Sequence, residues 1–193
     1  RRSNQKPLAM NPGHTDKVFL KDMIINIKNR QVASLLAISV VTFISFSALY
    51  YFLKSLAIHI GSSDTGYFFT IYAITMIGVR VMGGHYFDRV NKFVLLSLAI
   101  AFTGICYIFI GRVGSMAMLY VYAFFFGIGI GVLFPILNGI AFDISHAKMR
   151  GVNLNLIIET RDLGFFIGPV VSAYIIKHHS LESLYMFCGI ISI

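Results

Sequence analysis

The most constraining feature of this chain is a series of long, continuous apolar runs, each separated from the next by a few charged or turn-forming residues. A sixth run begins near Leu184 and continues to the last residue. A helix of about 20 residues crosses the ~30 Å hydrocarbon core of a bilayer, and the five complete runs reach about that length. We therefore expect transmembrane helices over residues 32–53, 66–82, 93–111, 116–142 and 154–176. Lys54 is expected to end the first of them, and residues 55–65 are expected to form a connector whose polar residues 62–65 supply the cap of the next helix.

The composition supports a membrane protein and excludes other classes. Only 12% of the residues are charged and 57% are hydrophobic, whereas soluble chains are about a quarter charged. A disordered chain needs low hydrophobicity. Transmembrane β-strands alternate over about ten residues, but the runs here are continuous and about twice that length. The expected fold class is an all-α membrane protein, whose helices satisfy their own backbone hydrogen bonds.

The two ends of the chain predict that it is a fragment. It begins with Arg1 rather than Met, and its last residues lie inside the sixth apolar run. We expect both ends to be cuts. Residues 1–30 are polar and contain two prolines and a glycine, so they are expected to form a cytoplasmic loop before a bundle that occupies residues 31–193.

Lysine and arginine are distributed asymmetrically about the expected spans. Seven of the 16 precede the first run, and eleven in all fall on one side of a six-span bundle, against three on the other. Positive charge collects on the cytoplasmic side, so we place the amino-terminal segment in the cytoplasm and the bundle in a plasma membrane, such as a bacterial inner membrane. The net charge of +8 does not indicate a nucleic-acid partner, because no basic stripe follows a polar face.

The sequence shows no pattern for catalysis or metal binding. Cys106 and Cys188 lie inside apolar runs without metal or redox spacing, and we expect them to be small core residues. A membrane-embedded enzyme would need an HExxH motif or paired carboxylates at one depth, and neither is present. We expect no enzyme, no metal and no cofactor.

Small residues recur on one helix face in two runs. In the fourth run their spacing is four, which allows helix backbones to approach closely. Its proline also removes a helical hydrogen bond. Tight packing explains the glycines and a kinked, rocking helix explains the proline, and the pattern leaves both interpretations open. The expected packing residues are Gly127, Gly131, Pro135 and Gly139 in the fourth run, and Gly164, Gly168 and Pro169 in the fifth.

The fifth run also carries three charged residues, Glu159, Arg161 and Asp162. Charges within a span are costly and usually face a bundle interior or water. Long side chains near the cytoplasmic end can also extend to the membrane surface. The pattern leaves open a gating or structural ion pair and a direct role in coupling to a proton or substrate.

The most specific segment lies between the second and third runs, over residues 80–92. It reads Gly84-x-x-x-Asp88-Arg89-x-x-Lys92 and resembles G-x-L-a-D-R-x-G-R, the signature loop of the major facilitator superfamily. Arg80, four residues before the glycine, is similar to an arginine of the drug-efflux and sugar-efflux branches. Asn91 stands where the signature usually has glycine.

Two further stretches resemble the same family in the expected order. Residues 127–143 look like helix 10, and residues 150–169 look like loop 10–11 and helix 11. The resemblance implies that the chain is the mid-loop and helices 7 to 12 of a twelve-helix transporter, with the last helix truncated. In that fold, two six-helix halves rock about a central site near the bilayer midplane. The implied partners are the bilayer, a small solute, the missing amino-terminal half and, as an option, a coupling proton.

The resemblance also implies roles for single residues. At the cytoplasmic contact between the halves, Asp88 and Arg89 are expected to stabilise one access state, with Arg80 and Asp143 as ionic partners. The implied gating residues are Arg80, Gly84, Asp88, Arg89, Lys92, Asp143, Arg150 and Asp162. The implied cavity candidates are Thr42, Ser45, Tyr50 and Tyr51 on the first span, and Phe134 and Asn138 on the fourth.

These features together favour a secondary active transporter of the efflux type. The aromatic and neutral polar cavity candidates suit an amphiphilic or neutral organic solute. The Gly-x3-Gly-Pro pattern in the fifth run resembles half of the family's antiporter motif, without its upstream glycine, and therefore leaves antiport open. The alternative is a scaffold or sensor subunit that uses the same fold without transport.

Overall fold

The computed structural model describes residues 21–192 of the chain, with the exception of Ser63 and Asp88. The expectations for the segment before residue 21 and for Asp88 therefore lie outside the described residues. The described residues form helices and one short 3-10 turn. The helices are α1 (21–28), α2 (Arg30–His59), α3 (Gly66–Phe87), α4 (Lys92–Gly111), α5 (Met116–Asp143), α6 (Arg150–His178) and α7 (Leu181–Ser192), and the 3-10 turn is Ala147–Met149.

Four of these helices, α2 to α5, are long and apolar enough to cross a membrane. Helix α6 has 29 residues but carries Glu159, Arg161 and Asp162 in its first half. Helix α7 has 12 described residues, fewer than a span needs. The predicted all-α membrane bundle is confirmed, whereas the expectation of six spans stays a prediction.

The end of α2 differs from the sequence-based expectation that Lys54 closes the first span. The helix continues to His59, because Lys is a good helix former and the next turn buries Leu56 at 2% exposure and Ala57 at 0%. It ends where Gly61 adopts a φ of 90°, a conformation that glycine reaches without steric cost. Part of the expected connector is therefore helix.

The start of α3, α4 and α5 is set by short polar side chains that accept hydrogen bonds from the first free backbone amides. Asp64 Oδ1 accepts from the amide of Gly66 at 2.8 Å, as the turn sequence predicts. Asn91 Oδ1 accepts from the amide of Phe93 at 3.0 Å. The asparagine that departs from the family signature therefore has a local role as the cap of α4.

The bundle is assembled from two tight helix pairs, α2 with α6 and α3 with α5, and α4 packs against α5 and α7. Two apolar clusters fill it. One surrounds Tyr107 and Phe126, and the other surrounds Leu133 and Ile136. Helix α5 also contacts α2 and α6, which brings the two pairs together, so one face of the bundle is shared by all four helices.

Glycines lie at both tight pairs, where a side chain would not fit. A Cβ on Gly127 would lie 2.8 Å from the carbonyl oxygen of Tyr72, and one on Gly131 would lie 3.2 Å from that of Met76. On α6, a Cβ on Gly164 would lie 2.7 Å from the backbone carbon of Phe43. These close approaches bring α5 against α3 and α6 against α2.

Candidate functional site

A cavity of about 200 Å³ opens on the face shared by α2, α3, α5 and α6. Its lining combines apolar and aromatic side chains with two guanidinium groups and one amide. Each of the four helices contributes at least one lining residue, so the cavity exists only in the assembled bundle. The lining residues are Phe43, Arg80, Phe134, Leu137, Asn138, Ile157, Ile158 and Arg161.

A band of aromatic rings begins at this cavity and follows α2 along the same face. Phe43 and Phe134 are stacked, with ring centroids 5.0 Å apart. The ring centroid of Phe46 lies 5.7 Å from that of Phe134 and 5.9 Å from that of Phe165. Phe165 in turn lies 5.8 Å from Tyr50. The face therefore offers a continuous aromatic surface next to the polar cavity.

The sequence analysis missed three members of this band: Phe43, Phe46 and Phe165. A signal for two of them was present, because Phe43, Phe46 and Tyr50 follow the i, i+3, i+7 spacing of one helix face. Phe165 comes from another helix, and its place beside Tyr50 depends on the pairing of α6 with α2. Spacing along the chain therefore could not have found it.

Four of the six cavity candidates lie on the shared face of the bundle, and the other two lie on the opposite side of α2. Asn138 and Phe134 line the cavity, and Tyr50 and Tyr51, each about half exposed, lie on the aromatic band. Asn138 Nδ2 also donates to the Phe134 carbonyl oxygen at 3.0 Å.

Thr42 and Ser45 do not reach this face. Thr42 lines a different cavity of about 410 Å³, with residues of α4 and α7. The Ser45 hydroxyl donates to the carbonyl oxygen of Cys188 at 3.4 Å. Successive helical residues turn by about 100°, so side chains next to Phe43 and Phe46 in sequence point toward α7 instead.

The two arginines of the cavity differ in their protein partners. Arg161 Nε donates to Asp162 Oδ1 at 3.2 Å, and both side chains are more than half exposed. Among the described residues, no carboxylate forms an ion pair with Arg80. At 1.5 Å per residue, Arg80 lies about 10 Å before the end of α3, and Arg161 lies about 16 Å after the start of α6. Both are well inside their helices.

A contact between charged residues lies where α4 begins and α5 ends. Lys92 Nζ lies 2.7 Å from Asp143 Oδ2, and Gly139 leaves room for the lysine stem, which would be 3.5 Å from an added Cβ. The Arg150 guanidinium lies 4.1 Å from the centre of the Phe142 ring. Asp143, which was expected with Arg80 as an ionic partner of Asp88 and Arg89, thus forms an ion pair with Lys92. Arg89 is exposed, and Gly84 has open space around it.

A polar cluster that the sequence analysis missed ties α1 to α6. Asn153, 2% exposed, accepts from Asn26 Nδ2 at 2.6 Å and donates to Ser145 Oγ at 2.6 Å. Lys148 Nζ lies 2.9 Å from Asp22 Oδ2. The cluster therefore joins α1 to the turn between α5 and α6 and to the start of α6. Short polar residues far apart in sequence carry no signal that they meet.

Replacing Asn153 with leucine should lower the free energy of unfolding by about 1–3 kcal/mol, because it removes the buried hydrogen bond to Ser145 and the partly buried one from Asn26. Thermal unfolding in detergent, followed by circular dichroism, measures the change. The matched control is Asn155→Leu, since Asn155 is exposed on the same helix. Equal melting temperatures for the two variants would contradict a structural role for the cluster.

Comparisons with known proteins agree with this architecture. A family model described as Major Facilitator Superfamily matches residues 35–193. "Multidrug resistance protein 1" of Bacillus subtilis (strain 168) is 24% identical over 123 residues, which cover 64% of this chain and 32% of that protein. The match therefore spans about a third of the length of this curated relative.

Proposed function

Because the chain belongs to the major facilitator superfamily, we propose that it is part of a secondary transporter that moves a small organic solute across a membrane by alternating access. The observation that carries this proposal is the cavity shared by α2, α3, α5 and α6, with its polar groups and the adjoining aromatic band. Efflux is the proposed direction, because the relative is named as a multidrug resistance protein.

The exposed aromatic face supports a second bundle as the partner of this one. Tyr50 and Tyr51 are 52% and 51% exposed, on the aromatic band next to a cavity lined by two arginine side chains. Such a surface suits neither contact with lipid tails nor a closed protein core. In the proposed transporter, an amino-terminal six-helix half covers this face and completes the site. Rocking of the two halves then opens the cavity to each side of the membrane in turn.

The ion pair of Lys92 with Asp143 is the proposed gate, and we place it on the cytoplasmic side. Lys92 follows the turn between α3 and α4, so it is close in sequence to Asp88 and Arg89. In the proposed mechanism these charges stabilise the state that is closed toward the cytoplasm. The asymmetry of Lys and Arg supports placing this end, and the amino-terminal segment, in the cytoplasm of a cell with the protein in its plasma membrane.

Proton coupling is part of the proposal only through the acidic side chains of α6. Glu159 and Asp162 are exposed on the helix that also lines the cavity. Asp162 is paired with Arg161, so its protonation would release that guanidinium toward the cavity. A carboxylate in contact with a cavity arginine is a direct way to link proton and solute binding.

Counterflow in proteoliposomes tests the transport function. We expect at least one of three fluorescent probes, cationic rhodamine 6G, anionic fluorescein or neutral coumarin, to exchange across vesicles that contain the protein. Phe134→Ala should slow that exchange at least about fivefold, because it removes the ring stacked on Phe43 at the cavity. The matched control is Phe109→Ala, since Phe109 is 51% exposed on α4 and lies outside the cavity.

Two outcomes of this assay contradict the proposal. Folded protein that exchanges none of the three probes supports the scaffold or sensor alternative. Equal rates in the Phe134 and Phe109 variants remove the cavity from the transport path. Circular dichroism of each variant in detergent establishes that the protein is folded before the rates are compared.

A further inference from the structure

We propose that the cavity between Arg80 and Arg161 binds the anionic group of a small organic anion whose apolar ring lies against the stacked pair Phe43 and Phe134. This inference deepens the proposed transport function by naming the substrate class, but the binding itself does not depend on transport. It narrows the amphiphilic or neutral solute expected from the sequence to an anionic one, because the two arginines were not among the cavity candidates.

The first step of the argument is the composition of the cavity lining. Arg80 from α3 and Arg161 from α6 line the same space of about 200 Å³, and none of its described lining residues carries a carboxylate. A guanidinium presents five N–H donors in a planar fork that matches the oxygens of a carboxylate or phosphate. Two such forks from different helices converge on one small volume, which favours an acceptor-rich guest.

The second step is the charge balance around the two guanidiniums. Asp162 is bonded to Nε of Arg161, which leaves the terminal nitrogens of that side chain for another partner. No described carboxylate forms an ion pair with Arg80. Cations inside a membrane helix are costly unless they are paired or face a polar cavity. An anionic guest would remove that cost, whereas a cationic guest would add to it.

The third step concerns the rest of the guest. Phe43 and Phe134 stack at 5.0 Å beside the arginines, Leu137 and Ile157 are apolar and buried, and Asn138 contributes an amide. This environment suits an aromatic or apolar body next to a charged end. The cavity is smaller than the roughly 300–1,000 Å³ of drug-sized pockets, so a guest with one or two fused rings fits its size.

Lipid headgroups are a second source of the same anionic chemistry. A phosphate ester could meet the two arginines as a carboxylate would. The four-helix lining and the adjoining aromatic band favour a soluble guest, because they surround its ring as well as its charge. The experiment therefore includes an anionic lipid as a competitor.

Equilibrium binding of radiolabelled 2-naphthoate to the protein in phosphatidylcholine nanodiscs tests the proposal. Neutral 2-naphthamide and cationic 2-naphthylmethylammonium serve as matched guests with the same rings. We expect 2-naphthoate to bind at least about tenfold more tightly than either, because only it forms charge-assisted hydrogen bonds with the arginines.

Variants then assign the binding to the two side chains. Arg80→Gln and Arg161→Gln should each weaken 2-naphthoate binding by about tenfold or more, and Arg80→Lys, which keeps the charge but not the fork, should fall between Arg80→Gln and the unmodified protein. The matched control is Lys54→Gln, which removes one exposed positive charge from α2 outside the cavity and should leave the affinity unchanged. Should either glutamine variant fail to fold, the three-guest comparison on the unmodified protein still decides the question.

Several outcomes overturn the inference. They are the absence of 2-naphthoate binding up to millimolar concentration, equal affinity for the three guests, and unchanged affinity in folded arginine variants. Displacement of 2-naphthoate by phosphatidylglycerol in the nanodisc would assign the cavity to a lipid headgroup instead. Arginine-dependent binding without counterflow would leave this inference standing and contradict the transport proposal. Counterflow of a probe without 2-naphthoate binding would contradict this inference and leave the transport proposal standing.

Discussion

Replacing Gly164 with leucine should prevent α6 from packing against α2 and lower the free energy of unfolding by about 3 kcal/mol or more. A Cβ at this position would lie 2.7 Å from the backbone carbon of Phe43 and 2.9 Å from the backbone nitrogen of Ile44. These are backbone atoms that cannot rotate away, so the two helices must separate. Overpacking a tight contact typically costs about 1–3 kcal/mol, and a longer side chain than alanine adds to it.

The separation would also remove interactions that depend on the close approach. The Ser47 hydroxyl donates to the Gly164 carbonyl oxygen at 3.1 Å, and the hydroxyls of Ser39 and Thr160 lie 2.7 Å apart in a buried position. Both contacts cross between α2 and α6. Because the Ser47 and Thr160 hydroxyls keep the carbonyl oxygens of Ile44 and Ile157 as acceptors, each lost contact costs about 0.5–1.5 kcal/mol, against a total stability of about 5–15 kcal/mol.

Unfolding in a titration with sodium dodecyl sulfate, followed by circular dichroism, measures this effect. The matched control is Gly151→Leu on the same helix, where an added Cβ meets nothing within 4 Å. That variant should be as stable as the unmodified protein or slightly more stable, since leucine is a better helix former than glycine. Equal destabilisation by the two substitutions would mean that close packing of α6 on α2 is not required.

Reversing the charge of Lys92 should slow transport by about tenfold, while leaving the fold intact. Lys92→Glu places two carboxylates where Lys92 Nζ and Asp143 Oδ2 now lie 2.7 Å apart. The pair is partly exposed, at 22% and 52% for the two side chains, and such pairs contribute only about 0–1 kcal/mol to stability. A tenfold change corresponds to a shift of about 1.4 kcal/mol between access states, within the usual range of coupling energies.

Counterflow rates in proteoliposomes test this prediction. The most stringent test exchanges the two charges of the pair. Lys92→Asp combined with Asp143→Lys should restore most of the rate, because the exchange re-forms the pair in the opposite sense. The matched control is Arg112→Glu, which reverses a charge in an exposed pair with Glu182 at the other end of α4 and should change the rate less than twofold. Identical rates in all of these variants would show that the pair has no role in gating.

Much of the local structure was predictable from the sequence. The apolar runs predict helices because a chain in hydrocarbon must satisfy its backbone hydrogen bonds within each helix. Asp64 identifies the start of α3, and the spacing of Gly127 and Gly131 identifies a packing face. The end of α2 at His59 differs from the expectation, because a lysine such as Lys54 does not end a helix, whereas Gly61 adopts a φ of 90° just after it.

The candidate site was predictable only in part. Asn138 and Phe134 line a cavity of the bundle, and a substrate in that cavity stays a prediction. The resemblance implies a role for Arg80 at a contact between the halves, whereas the structure places it in the same cavity lining as Arg161. Thr42 and Ser45 are polar, but they face α4 and α7 instead.

The sequence by itself determined that this protein is a helical membrane bundle, because run length, charge at the ends and capping residues act within a few neighbours along the chain. Only the tertiary structure decided which side of each helix forms the cavity. The rotation of a helix about its axis is set by contacts with helices distant in sequence, such as Gly164 against Phe43. That rotation brings Arg80 and Arg161 to one space and turns Thr42 away from it, so the charge of the cavity is a property of the assembled bundle.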